Sequence, residues 1–284
     1  LGKEHKMKKF TAFIIISALL ASVMSFTAFA SEGKNAVQVN TPEELMAALG
    51  NEACDSIEVV AEMIITEPAF SVTKDLTLSA DVVFKPAPDE GFFVKSFEVP
   101  EGVTLTVKGK FTTESTFENG FVIAQLFING GKVDFAEGTP DEFCNICFNS
   151  GELIAPKDGF ADTVSISRYI YENVTIDSVK EAFETENLRT VVVQEGLAIA
   201  EPFTVPEGKT LSISSTGEPT FITVKNGAGI DGNVSADPGC GVILLGDAHL
   251  NDITVTAGAE GSVITWQEDG SFTVEACDAE GNVR

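Results

Sequence analysis

Val99-Pro100-Glu101-Gly102-Val103-Thr104-Leu105, and again Val205-Pro206-Glu207-Gly208-Lys209-Thr210-Leu211, set a Pro-x-Gly turn directly before an apolar-Thr-apolar alternation. Proline presets the first central position of a turn and glycine supplies the conformation after it, so each heptapeptide reads as a tight turn between two short strands. The same pattern spreads in both directions. Apolar runs at 57–60, 76–78, 103–107, 121–123, 126–128, 133–135, 191–193, 242–245 and 272–274 are rich in Val, Ile, Phe and Thr, which suit a half-buried pleated surface. Asn129-Gly130-Gly131, Asn149-Ser150-Gly151, Asn226-Gly227, Asp231-Gly232 and Asp269-Gly270 punctuate them as turn signals. The spacing predicts an all-β chain. Strands this short bury little as isolated pairs and become stable when successive coils stack, as in a solenoid.

Two segments interrupt the pattern, and they do so alike. Thr41-Pro42-Glu43-Glu44 reads as a capping box opening a short helix near 42–50, with Leu45, Met46, Ala48 and Leu49 as its apolar face. Ser178-Val179-Lys180-Glu181 reads as the same box 137 residues later, opening a helix near 178–186. A short strand is expected before each helix, at Val37-Gln38-Val39 and at Val174-Thr175-Ile176. Behind them, Ile57-Glu58-Val59 matches Val191-Val192-Val193, and Leu76-Thr77-Leu78 matches Leu211-Ser212-Ile213, at offsets of 134 and 135. Agreement in order, spacing and residue type indicates an internal duplication. The expected organisation is a leader over 1–30, a β-solenoid module over 31–165 and a second over 166–284.

The leader rests on Met7-Lys8-Lys9, an apolar run over 10–26 and Ala28-Phe29-Ala30, which form the three regions of a cleavable signal peptide. Residues 1–6 lie upstream of Met7, and the exported chain is expected to begin near Ser31. No later run is long enough to span a membrane. The 284 residues carry 18 Lys and Arg against 43 Asp and Glu, a net charge of −25. That charge disfavours nucleic acid and anionic membrane surfaces, while 44% hydrophobic residues exclude a disordered acidic tail. Cys54, Cys144, Cys147, Cys240 and Cys277 follow the leader. Export favours disulfides, but the number is odd, and the residues do not fix a pairing. Cys144-Asn145-Ile146-Cys147 lacks the second ligand pair of a zinc site and lies in strand-like sequence.

The order of short strand, Thr-Pro-Glu-Glu-Leu helix, strand and Pro-Glu-Gly-Val-Thr-Leu unit resembles right-handed parallel β-helix proteins of the pectate-lyase-like superfold, over residues 35–110 and again 172–255. The resemblance implies a coil stack whose open end is covered by an amphipathic helix. Tandem β-sandwiches are the alternative that short strands also allow. In that family, lyases use Arg or Lys as base beside carboxylate-held Ca²⁺, and hydrolases carry Asn-Thr-Asp, Asp-Asp and Gly-His-Gly, none of which occurs here.

The chemistry-bearing residues are few. Arg168 stands beside Tyr169 and Tyr171 and is the candidate base. Asp231, Asp237, Asp247, His249 and Asp252 cluster in sequence; Asp247 and His249 are the acid/base candidates, and Asp231, Asp247 and Asp252 the candidate Ca²⁺ ligands. Ordinary turn chemistry accounts for the same residues. Trp266, the one Trp of the chain, is the candidate for stacking on a sugar ring, with a buried strand Trp as the plain alternative. No nucleophile elbow, metalloprotease or phosphate-loop motif is present. The residues therefore favour an exported, non-catalytic, surface-associated or adhesin-like interaction module without a cofactor, its partner an extracellular glycan or a surface protein. The other two readings are a polysaccharide lyase or glycoside hydrolase, and a Ca²⁺-stabilised structural domain of the cell envelope.

Overall fold

A computed structural model of the chain describes residues 28–31, 34–66, 69–85, 92–113, 121–140 and 144–283. The expected leader lies outside these residues except for 28–30, which open the strand Ala28–Ser31. Strands dominate, and the pairing between them is mostly parallel.

The pairing is built pass by pass. Val37 stands beside Ile57, Ile57 beside Leu76, Leu76 beside Leu105, Leu105 beside Val133 and Val133 beside Leu153, each pair parallel. Strands Ser56–Val59, Asp75–Leu78 and Thr104–Val107 bury every second side chain, so like residues stack on one inner face. This sheet has thirteen strands and reaches Val234–Ala236. Three smaller sheets accompany it. One joins Met63–Ile65, Val82–Phe84, Lys110–Thr113 and Thr139–Pro140. The second runs from Leu197–Ile199 through Phe221–Val224, Gly241–Leu245 and Gly261–Trp266 to Phe272–Cys277. The third holds Phe203–Thr204, Gly229–Asp231, His249–Leu250 and Ile253–Thr254. Parallel order between non-consecutive strands departs from the antiparallel sheets that tandem β-sandwiches require. Antiparallel pairing is confined to the strand Ala28–Ser31 and to the C-terminal strands after residue 241.

The core changes character along the chain. In the N-terminal half Phe84, Phe97, Phe111, Phe135 and Phe160 form a chain of ring contacts with centroids 4.9–6.3 Å apart. Further on the buried residues are mainly aliphatic: Val191 and Leu211, Ile222 and Val242, Ile230 and Leu250 stand side by side. The outer face is held by polar side chains that bridge passes. Ser71 donates to Glu98, Asn129 donates to the same carboxylate, and Asn149 donates to Asn129.

The two helices among the described residues are Pro42–Leu49 and Ile176–Phe183. Thr41 caps the first, its hydroxyl accepting from the Glu44 N–H, while the Glu44 carboxylate accepts from the Asn40 N–H rather than from the cap residue itself. The second starts earlier than its sequence suggests. Thr175 is the cap, and Ser178 sits at its third helical position, exchanging side-chain bonds with Thr175 in both directions. A hydroxyl can serve at either end of a capping box, which is why Ser178 reads as the cap in sequence. Thr175 stands 134 residues after Thr41, the offset that also relates Ser56–Val59 to Thr190–Val193. Each helix C-terminus receives a lysine from a following turn. Lys74 donates to the Asn51 carbonyl, and Lys209, 135 residues later, to those of Phe183 and Thr185.

Three other expectations change. Val174-Thr175-Ile176 is not a strand: it becomes loop, cap and first helical residue. The runs 121–123, 126–128 and 133–135 belong together, because Phe121–Asp134 is one strand that includes Asn129-Gly130-Gly131. Its parallel neighbour Cys144–Ile154 likewise swallows Asn149-Ser150-Gly151. Register shifts beside Asn129 show that these glycines make stacked irregularities within strands. A Cβ on Gly151 would strike the Gly131 carbonyl. Strand Ser165–Ile170 pairs with Cys144–Ile154 on one side and Thr190–Val193 on the other, so the long sheet runs through the expected module boundary. No helix among the described residues is long and apolar enough to cross a membrane.

Candidate functional site

Arg168 lies in strand Ser165–Ile170 opposite Val191, half-buried, and its guanidinium makes no hydrogen bond or ion pair among the described residues. Its neighbour Tyr169 is pushed above the ordinary tyrosine range by burial, with Cys147 and Asp237 adding to the shift. Arg189 has a clear role instead. Its guanidinium donates to the carbonyls of Phe160, Ala161, Asp162 and Val164, tying down the loop that leads into Ser165.

The 231–252 cluster is only partly assembled. Gly229–Asp231 and His249–Leu250 are parallel neighbours, which brings His249 Nε2 within 3.7 Å of Asp231 Oδ2. The imidazole lies against the backbone of Gly229, where any Cβ would collide with the ring. Asp247 serves the turns: its Oδ1 accepts from the Gly227 N–H, while its own N–H donates to Asn226. Asn251 fastens Gly232 in the same manner. Asp237 accepts from the Ser214 hydroxyl and the Ser215 N–H. Asp252 is exposed. Among the described residues no three His, Cys, Asp or Glu come together as a metal site. The chemistry available here is a half-buried His249 beside the exposed Asp231 carboxylate, amid turn carboxylates that link neighbouring passes.

Trp266 stands at the end of strand Gly261–Trp266, and the turn at Asp269-Gly270 folds Phe272 directly across from it. The rings are 5.6 Å apart and inclined at 45°. Trp266 packs against the core on one side and on the other lines an open groove of ≈ 630 Å³ with Pro238, Gly239, Thr265, Gln267, Glu268 and Asp269. The Ser271 hydroxyl and N–H bind Asp269 and hold its carboxyl below the usual range. Sequence reading singled out Trp266 but missed Phe272 and Glu268. The Asp-Gly turn signal, with strand alternation on both sides, carried the information that residues 266 and 272 oppose each other.

The five cysteines are buried and unbridged. Cys144 faces the main core with Ile146 and Phe148, whereas Cys147 lies outside that cluster and burial raises its thiol to about 11. Cys240 accepts from the Thr220 N–H, and Cys54 donates to the Ser56 carbonyl. A thiol with a raised pKa is a poor nucleophile at neutral pH.

Comparison of the chain with family models, with curated proteins and with solved structures gives no match.

Proposed function

We propose that this chain is an exported, non-catalytic interaction module: a right-handed parallel β-helix in two duplicated units, 31–165 and 166–284, that presents a recognition surface outside the cell. The observation that carries the reading is the Trp266 groove. An aromatic face beside polar and acidic side chains, open to solvent and backed by a second ring, is built for recognition. Carboxylates that an enzyme would employ, Asp237 and Asp247, are occupied in bridging passes of the chain. The leader motif supports export, and the strongly acidic composition keeps a long stack of strands soluble. The partner is an extracellular glycan or a surface protein.

Two assays on residues 31–284 test this. Titration with plant, host and bacterial polysaccharides, followed by emission of the single Trp, should show saturable binding by a member of the panel or by a captured surface protein, lost in Trp266→Ala. A reducing-end assay on the same panel, with and without Ca²⁺, should stay silent. New reducing ends that vanish in Arg168→Ala or Asp247→Asn would replace this reading with glycan cleavage.

A further inference from the structure

The strand next to the one that carries Trp266 is a sheet edge. Phe272–Cys277 is the terminal strand of its five-stranded sheet, paired on one side with Gly261–Trp266. On the other side, among the described residues, only Cys277 has a bridge, to Val283. Phe272 and Val274 are 45% and 42% exposed, and they alternate along the strand. Soluble proteins usually blunt such an edge with Lys, Pro or a bulge. This strand, Phe272-Thr273-Val274-Glu275-Ala276-Cys277, has neither Lys nor Pro, and its pairing is regular.

Charge narrows the partner. From residue 226 to residue 283 the sequence contains ten Asp and Glu and no Lys or Arg. Glu268 and Asp269 line the groove, and Glu275 lies in the edge strand. A second copy of a chain with net charge −25 would bring like charge to like charge at this edge. A ring face attracts cations, as do the exposed carboxylates of Glu268, Asp269 and Glu275. Backbone donors and acceptors along an open strand are satisfied by another extended chain.

We infer that the C-terminal edge receives an extended basic polypeptide. It adds as a strand beside Phe272–Cys277, its apolar side chains meeting Phe272 and Val274 on the face they share with Trp266 and its Lys or Arg side chains meeting Glu275 on the other face, near the acidic turn at Glu268 and Asp269. This names the partner of the site proposed above and rests on that reading.

The test uses residues 31–284 and three probes: an alternating Lys-Val octapeptide, the matching Glu-Val octapeptide, and a neutral oligosaccharide. Emission of the single Trp reports the site directly. The Lys-Val peptide should give a saturable change that weakens at least about tenfold in high salt. N-methylation of alternate peptide nitrogens should abolish it, because an added strand needs those donors. Glu275→Lys, at an exposed position, should weaken binding at least about tenfold without moving the melting temperature, and Phe272→Ala should weaken it as much while lowering the melting temperature only slightly through the lost ring contact with Trp266. Equal binding of the Glu-Val or N-methylated peptide would overturn the inference, as would no response to Lys-Val. A response to the oligosaccharide alone would overturn it while leaving the interaction-module reading intact. A dimer in sedimentation that buries Phe272 would assign the edge to a second copy instead.

Discussion

The two helix-bearing units, 41–78 and 175–213, share their inner faces and differ in their outer ones. Ile57 and Val59 correspond to Val191 and Val193, all buried in the core. Between them, Glu58 corresponds to Val192. In the first unit the outer face is a polar ladder: Gln38 and Ser79 donate to the two oxygens of Glu58. In the second, Val192 is 6% exposed and stands beside Tyr169. Their place in the sheet differs too. The first helix follows the first parallel strand, Lys34–Val39, while the second is inserted between Ser165–Ile170 and Thr190–Val193 with sheet on both sides. The stacked inner face is thus the constant feature. What covers or wets the outer face is set locally, by which passes lie above and below.

The comparison breaks most readily through the helices' buried residues. Phe183→Ala also removes the ring contact with Phe203 at 6.1 Å and should cost about 3–5 kcal/mol, with Leu45→Ala costing about 2–5. Calorimetry of both variants then tests the division at residue 165. A single transition that shifts in both variants means one cooperative stack; two transitions, one moved by each variant, mean independent units.

Exchanging the outer residues should be strongly asymmetric. Val192→Glu buries an unpartnered carboxylate and should destabilise by about 3 kcal/mol or more. Glu58→Val lies in a wetter ladder and should cost less than about 1 kcal/mol. Comparable denaturant midpoints for the two variants would show that the outer faces are equivalent after all.

The caps come next. Thr175→Ala and Thr41→Ala each lose the hydroxyl that accepts from the N–H of the third helical residue and should each cost about 1 kcal/mol, the backbone N–H of residue 175 still donating to Ser178. The smallest effect concerns pH. Hydrogen bonds from Ser79 and then Gln38 hold the Glu58 carboxyl below its ordinary value near 4.5. A depressed folded pKa gives stability that is present above the unfolded value and is lost as pH falls through the folded one. Ser79→Ala should therefore raise the Glu58 pKa by NMR titration and reduce this loss between about pH 4.5 and lower values. An unchanged titration would remove Ser79 as its cause.

Much of this was legible in the chain. The heptapeptides at 99 and 205, the helix at 42 and the duplication follow from turn chemistry, capping and two-residue alternation, which are local. Local signals also misled. Asn129-Gly130-Gly131 and Asn149-Ser150-Gly151 look like turns, yet each bridges one strand, because the neighbouring pass supplies a matching irregularity and close glycine contact. Ser178 looks like a cap because its hydroxyl fills either role. For the candidate site, residue types pointed to Trp266 and the 231–252 carboxylates but not to their uses. Asp247 became a clasp on Gly227, Glu268 joined Trp266 at a groove, and Phe272 packed against the Trp266 ring.

By itself, then, the sequence determined that the chain is β-rich, where many of its turns fall, in which two stretches helices interrupt it and that a segment recurs. Those features depend on φ preferences and on which side chains alternate over a few residues. Only the tertiary structure decided that the strands pair in parallel between distant passes, that the C-terminal strands turn antiparallel, and that Phe272 faces Trp266. Pairing partners 20–29 residues apart, such as Val37 with Ile57 and Leu76 with Leu105, are chosen by which apolar stack closes with fewest gaps. No short stretch of sequence holds that information.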